Sequence, residues 1–292
     1  GTIGAVGNNG IGVAGVNWNV KIMPLKFLDS SGSGYTSDAI EAFAWGYSRG
    51  VRIFSNSWGG SGIDTALQDS ISSMPDALFI CAAGNSALNT DTNPHSPGSL
   101  PNANILTVAA TDSRDVLASF SNYGASTVDV AAPGVSIYST YPGNRYTTMS
   151  GTSMATPHVA GVAALLKAAN PALTMDQIKT AIMNGVDVKS GLSGKCVTGG
   201  RVNAYTSVRA VSQVLAKFYG VPETVVYPLT IRFYDVSEGS VASRTWNFGD
   251  GNTSTVQNPV HTFYNPQTYT VTLQVSNGVQ GVSSVSNEVG GL

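Results

Sequence analysis

Charge is what this sequence has least of. Asp, Glu, Lys and Arg make up 11% of its 292 residues, against roughly 25% in an average soluble domain. With a net charge of -2 there is no basic stripe, which excludes the electrostatic footprint of a nucleic-acid partner. Long apolar runs are absent too: none approaches the ~18 residues needed to span a bilayer, so no membrane partner is expected. Neither an initiator Met nor a signal peptide stands at Gly1, but such segments are removed from exported proteins. The 33 glycines and abundant small polar residues take the place of charge. That is a compact, loop-rich composition, and a secreted, extracellular location is expected.

Cysteine is scarce as well. The two present, Cys81 and Cys196, allow a single disulfide, which needs their Cα atoms within about 7 Å. The plainer reading is two separate buried thiols, since Cys behaves as a small hydrophobe. There are three histidines: His95, His158 and His261.

The remaining 42% of hydrophobic residues are patterned, over a length suited to two domains. Strands are predicted at residues 20–28, 51–55, 77–83 and 105–109, and helices at 37–48, 64–73, 152–169 and 174–183. Leu78-Phe79-Ile80-Cys81-Ala82-Ala83 is apolar on both faces, as strands of a covered parallel sheet are. The fold class for residues 1–214 is therefore α/β, a mostly parallel sheet with helices on both faces, whose ligands bind at the carboxyl ends of strands. Thr174 and Gln177 have capping-box spacing. After Ala216 the period changes to two. Leu229, Ile231 and Phe233 alternate with polar residues, as do Tyr269, Val271, Leu273 and Val275, with turns at Asp250-Gly251 and Asn277-Gly278. Residues 218–290 are expected to form a small all-β, Ig-like sandwich, reached through a short linker at 218–223.

The segment richest in chemistry is Gly151-Thr152-Ser153-Met154-Ala155-Thr156-Pro157-His158-Val159-Ala160-Gly161. A serine at the start of a buried helix sits where unpaired N–H groups and the positive dipole end converge, which favours negative charge developing beside it. By itself this reads more simply as an N-cap. The stretch, however, resembles the nucleophile motif of the subtilisin-like serine peptidases (family S8). Ser55-Asn56-Ser57-Trp58-Gly59-Gly60 resembles that family's substrate-binding strand, and Ala82-Ala83-Gly84-Asn85 its oxyanion segment. Gly1-Thr2-Ile3, Gly12-Val13-Ala14-Gly15-Val16, Ala131-Ala132-Pro133-Gly134 and Gly199-Gly200-Arg201-Val202-Asn203-Ala204 follow in the family's order.

The resemblance implies a protein-cleaving endopeptidase acting on polypeptide substrates, with no organic cofactor. Ser153 would be the nucleophile, Asn85 with the Ser153 N–H the oxyanion hole, and Thr152 a weaker secondary donor. Ser57, Trp58 and Gly59 on one side and Gly32, Ser33 and Gly34 on the other would hold substrate backbone as an added strand. Ala83, Gly84 and His95 would complete the binding surface; His95 also reads as a plain loop histidine. Residues Val6, Asn9, Ile11 and Val13 resemble a calcium loop, where backbone carbonyls and an Asn oxygen bind Ca2+; a simple Gly/Asn turn fits them as well.

The family's triad runs Asp, His, Ser, and Gly1-Thr2 resembles the end of its His helix. Both partners are therefore expected upstream of Gly1, and none of the three histidines is expected to replace the base. The chain as written is expected to be inactive, and a non-catalytic binding protein is the alternative. A lipase-type elbow, Gly-x-Ser-x-Gly, is not formed by residues 151–155. Finally, Trp246-Asn247-Phe248-Gly249-Asp250-Gly251, His261-Thr262-Phe263 and Tyr269-Thr270-Val271 resemble a PKD domain. It is either a spacer or a module docking on insoluble protein or polysaccharide through Tyr227, Tyr234 or Tyr264.

Overall fold

A strand buried at every position must lie inside a covered sheet, and Leu78–Ala82 and Ile105–Thr111 are buried throughout. The computed structural model, which describes residues 1–278 and 282–290, puts both in the middle of a six-stranded sheet. The chain divides into two units, residues 1–207 and 208–292.

The first unit opens with a long irregular segment and then α1 (Thr36–Ser48), β1 (Ile53–Asn56), β2 (Gly60–Ser61), α2 (Thr65–Ser72), β3 (Leu78–Ala82) and β4 (His95–Ser96). It continues with β5 (Ile105–Thr111), β6 (Val130–Pro133), the hairpin β7 (Ile137–Tyr141) and β8 (Arg145–Met149), α3 (Thr152–Ala169) and α4 (Met175–Asn184). Short strands β9 (Asp187–Val188) and β10 (Gly200–Arg201) precede α5 (Ala204–Val211), which crosses the boundary between the units. The main sheet has the order β1-β3-β5-β6-β10-β9. Its neighbours are parallel except β10 with β9.

Side chains alternate across a strand, so β3 feeds two cores. Phe79 and Cys81 face Phe43 of α1 and Leu67 and Ile71 of α2. There Phe79 stacks on Phe54 with ring centroids 4.7 Å apart and meets Phe43 edge-on at 4.9 Å. α3 crosses β1, β3, β5 and β6 and packs against α4. The helix starts follow capping chemistry. Asp64 accepts from the Leu67 N–H at 2.9 Å ahead of α2. Thr174 and Gln177 form a reciprocal capping box on α4.

Two expectations need correction. Residues 20–28 form no strand, and no described residue makes a backbone–backbone hydrogen bond with them. A ladder needs a neighbour. β1 is the last strand on that side, and a 1450 Å³ cavity lined by Leu25, Phe27, Phe54 and Pro157 lies beside it. The apolar pattern along the chain could not reveal the missing partner. The second correction concerns 218–223, expected as a linker. Phe218–Pro222 is strand β11, paired with Ile231–Asp235, and Phe218 is buried in the second core. Gly220 and Pro222 gave the segment the look of a connection. The β7–β8 hairpin was not foreseen; its turn uses positive φ at Gly143 and Asn144 (80° and 55°).

The second unit adds β12 (Leu229–Asp235), β13 (Ser243–Asn247), β14 (Thr253–Ser254), β15 (Val260–Phe263), β16 (Tyr269–Ser276) and β17 (Val282–Val289). They form antiparallel sheets β11-β12-β15 and β14-β13-β16-β17. Trp246, Phe233, Phe263 and Leu273 fill the core between them, and the Trp246 indole N–H donates to the Val256 carbonyl at 2.9 Å.

Cys81 and Cys196 are both buried and both free thiols. Burial pushes the Cys81 thiol far up from its ordinary value, so it stays protonated and unreactive. Both should resist an aromatic disulfide reagent in the native protein and react only once denaturant is added. In urea denaturation, Phe79→Ala is expected to cost about 3–5 kcal/mol, and Thr174→Ala, which removes only a cap, about 1 kcal/mol.

Candidate active site

Pro157 lies inside α3. In an α-helix the N–H of residue 157 would bond to the carbonyl of Ser153, but proline has no N–H to give. The orphaned Ser153 carbonyl is taken by the Ser57 hydroxyl, which donates to it at 2.9 Å. In return the Ser153 hydroxyl donates to the Ser57 carbonyl at 3.1 Å. This reciprocal pair ties the segment leaving β1 to the first turn of α3. A proline within a helical pattern is the sequence signal for it.

Asn85 reaches the same helix start from β3. After Ala82 the chain turns through Ala83 and Gly84, and Gly84 has φ of 103°. A Cβ there would also meet Asn122 Nδ2 at 2.4 Å. Asn122 braces the turn: its amide N–H donates to the Ala83 carbonyl at 2.8 Å, and its Oδ1 accepts from Ser86 and Leu88 N–H, both at 3.0 Å. Asn122 was not singled out from sequence, where a lone Asn in a loop carries no signal.

The Asn85 oxygen is fully engaged. It accepts from the Thr152 N–H at 2.8 Å and the Thr152 hydroxyl at 3.0 Å. The same hydroxyl accepts from the Gly84 N–H at 3.1 Å. Thr152 is fully buried, and its one hydroxyl proton is committed to Asn85. It therefore holds the Asn85 amide in place. With Oδ1 tied down, the Nδ2 group is left as a donor without an acceptor among the described residues.

The first turn of a helix leaves N–H groups to be satisfied. Here Thr152 N–H goes to Asn85, and those of Met154 and Ala155 to the Gly151 carbonyl. The Ser153 N–H has no acceptor among the described residues. A serine hydroxyl thus sits at a helix N-terminus beside one free backbone donor, with one free side-chain donor held at the same helix start. No charged side chain is involved; the field comes from backbone dipoles.

The other expected residues have these surroundings. Trp58 is half-buried, edge-on to Phe27 at 5.0 Å. Gly59 abuts His95 and the Ser96 carbonyl. Gly32, Ser33 and Gly34 belong to a tight turn in which Asp29 Oδ1 accepts from Ser31 and Ser33 N–H at 2.8 and 3.0 Å. Gly32 takes φ of 79° there. Ala83 and Gly84 are buried, while Asn85 is exposed.

No base reaches the serine among the described residues. A 310 Å³ cavity beside Ser153, lined by Thr2, Ile3, Ile22, Met149 and Pro157 among others, has no titratable side chain in its wall. The His158 ring faces the Met154 carbonyl at 2.9 Å, and burial pushes its pKa down. His261 pairs with Asp250 at 2.7 Å in the second unit. At the loop of Val6, Asn9, Ile11 and Val13, Asn9 Oδ1 accepts from the Ile11 N–H at 3.0 Å. Only neutral oxygens are offered, and among the described residues no group of three or more His, Cys, Asp or Glu comes together anywhere to hold a metal.

The subtilase family profile matches residues 1–214. The chain belongs to the subtilase family. A PKD domain profile matches residues 220–289. The subtilase is 42% identical over 211 residues to thermitase of Thermoactinomyces vulgaris, covering 72% of each chain. It is 39% identical over 212 residues to M-protease of Shouchella clausii, covering 72% of this chain and 53% of that one. Among solved structures it resembles proteases from Pseudoalteromonas arctica, with TM-score 0.65 and 35% identity over 73% of this chain and 69% of that one. A cold-adapted subtilisin-like serine proteinase matches with TM-score 0.60 and 37% identity over 65% of this subtilase and 69% of its own length. Among the described residues no helix is long and apolar enough to cross a membrane.

Replacing Thr152 by Val should leave the buried Gly84 N–H without an acceptor and cost about 1–3 kcal/mol, whereas Thr152→Ser should cost less. Ser57→Ala, which strips the Ser153 carbonyl of its donor, should cost about 1 kcal/mol. Urea denaturation of the three variants checks both.

Proposed function

We propose that this subtilase is a serine endopeptidase that cleaves polypeptides through an acyl-enzyme on Ser153. Its oxyanion would be held by the Ser153 N–H and Asn85 Nδ2. The observation that supports this most is the pair of unpartnered donors beside a helix-terminal serine, with the Asn85 oxygen locked so that its N–H₂ is free. Donors fixed in advance stabilise charge that develops in the transition state without reorganising. Thr152 acts as a positioning residue, and Ser57, Trp58 and Gly59 form one edge of the groove, opposite the turn of Gly32, Ser33 and Gly34.

Residues 1–292 alone are proposed to be inactive. A serine hydroxyl needs an adjacent base to become a nucleophile, and here it donates to a backbone carbonyl instead. The second reading, a non-catalytic binding protein, draws on the same absence of a base. At the loop of Val6, Asn9, Ile11 and Val13 the neutral donor set and the engaged Asn9 oxygen do not by themselves make a calcium cage. Export is proposed from the low charge and the loop-rich composition.

The second unit is proposed to dock the enzyme on insoluble protein or polysaccharide. Tyr264 is exposed, and Tyr219 stacks on Tyr234 at 5.0 Å. Tyr227 is less available, since its hydroxyl donates to the Gln267 carbonyl. Aromatic rings supply contact area at low entropy cost. Loss of retention on collagen or chitin particles when Tyr219 and Tyr264 become Ala supports docking; no retention of the native chain leaves a spacer.

Hydrolysis of internally quenched peptides tests the main reading, using the protein as made by its native host, its Ser153→Ala variant, and residues 1–292 alone. Host-made protein should cleave and lose about 10⁶-fold on Ser153→Ala. Asn85→Ala should cost about 10²–10³; both magnitudes are carried over from subtilisin itself. Residues 1–292 should show no activity. Cleavage by them that Ser153→Ala abolishes would refute the inactivity, and no cleavage by any form would refute the peptidase.

A further inference from the structure

Three asparagines of this chain are followed by glycine: Asn9-Gly10, Asn184-Gly185 and Asn277-Gly278. Such a pair carries both reactants of an intramolecular step. The side-chain carbonyl carbon of the asparagine is an electrophile, and the next backbone nitrogen is a nucleophile that no Cβ shields. Reaction needs that nitrogen and that amide to be free to meet, and the structure treats the three pairs differently.

Two of them are held back. Asn184 is the last residue of α4, and the Gly185 N–H donates to the Ala181 and Ile182 carbonyls at 3.0 and 3.3 Å. Gly185 is itself buried. Asn277 is buried too, and its Nδ2 donates to the Ser212 carbonyl at 3.0 Å. The Gly278 N–H donates to Ser276 Oγ at 3.0 Å. In both pairs the attacking nitrogen is already bonded, so it reacts only after a local opening.

Asn9 and Gly10 meet no such restraint. Residues 8–12 are exposed and belong to no helix or strand. Among the described residues neither the Gly10 N–H nor Asn9 Nδ2 has an acceptor. A Cβ on Gly10 would meet nothing within 4 Å, so no neighbour crowds the pair. Asn9 Oδ1 accepts from the Ile11 N–H at 3.0 Å. That bond folds the side-chain amide back over the Gly10 peptide and draws electrons from its carbonyl carbon. The same donor supports the charge that the oxygen gains as a nitrogen adds. The loop is clamped at its base, where the Gly15 N–H donates to the Ala5 carbonyl at 2.8 Å and the Val16 N–H to the Thr2 carbonyl at 2.9 Å. Above that base no backbone–backbone hydrogen bond involves residues 6–14.

We propose that Asn9 is a site of spontaneous modification, where the folded chain deamidates itself with water as the only co-reactant. The Gly10 nitrogen gives up its proton to hydroxide and bonds to Asn9 Cγ. The Cγ–Nδ2 bond breaks, ammonia leaves, and a succinimide ring closes. Water then opens the ring at one carbonyl or the other, leaving aspartate or isoaspartate. A loop that offers only neutral oxygens thereby acquires a carboxylate. A protein with a net charge of -2 gains a second, more acidic form that builds up with age and with alkalinity.

The test is timed incubation of the full 292-residue chain in mildly alkaline buffer, native and in urea, followed by acid digestion and peptide mass mapping. Each conversion adds one mass unit to the peptide that carries it. In the native chain Asn9 should convert at least about tenfold faster than Asn184 and Asn277, because those two wait on local opening. In urea the three rates should draw together. Asn9→Gln keeps an amide but would have to close a strained-to-reach six-membered ring, so the acidic form on anion exchange should disappear in that variant. Circular dichroism confirms that the native samples and the variant are folded. Conversion of Asn184 or Asn277 in the native chain as fast as Asn9 would overturn the proposal. So would an Asn9 that converts only in urea, or an acidic form that persists in Asn9→Gln.

Discussion

Pro157 has no N–H to give to the carbonyl of Ser153, and the site is arranged around that missing bond. Because the carbonyl is not used inside α3, the Ser57 hydroxyl can take it, and the Ser153 hydroxyl returns the bond to the Ser57 carbonyl. The end of β1 and the start of α3 are thereby fixed to each other. Thr152 does the same for β3: one hydroxyl accepts from Gly84 and donates to Asn85. Two adjacent residues of one helix thus anchor the ends of two parallel strands. It follows that ligands should meet this protein at the carboxyl ends of its strands, as open α/β sheets require.

A chain with so few charged residues must make its functional field from something else. At Ser153 that source is the helix terminus and a side-chain amide, both neutral. Such donors keep their strength over a wide pH range and need no counter-ion, which suits a site where charge appears only transiently. The charged pairs of the first unit lie away from it, as with Lys179 and Asp129 at the start of β5 and Arg201 between Asp115 and Asp187. There they tie strand ends and loops together.

The second unit is built on a different principle. Its alternating strands bury one face each, and an aromatic cluster around Trp246 and Phe233 closes the core. His261 illustrates how a conspicuous residue can be structural. Its ring stacks on Phe248 at 4.0 Å and pairs with Asp250, which joins β15 to the turn after β13. Its chemistry is spent on the fold.

The order of amino acids by itself determined the layers: buried apolar runs for the central strands, a capping box at Thr174, and an alternating period of two for the second unit. These are local, because periodicity and capping depend on residues within a few positions of each other. It also marked Ser153 and Asn85 through motifs, though not the relation between them. What only tertiary structure decided were the pairings between distant segments. Residues 20–28 have no ladder neighbour, Phe218 belongs to a strand and not to a linker, and Cys81 and Cys196 stay separate thiols. The Thr152 hydroxyl turned out to be an anchor for Asn85. Each of these is set by which surfaces meet across the fold, and no periodicity along the chain encodes that.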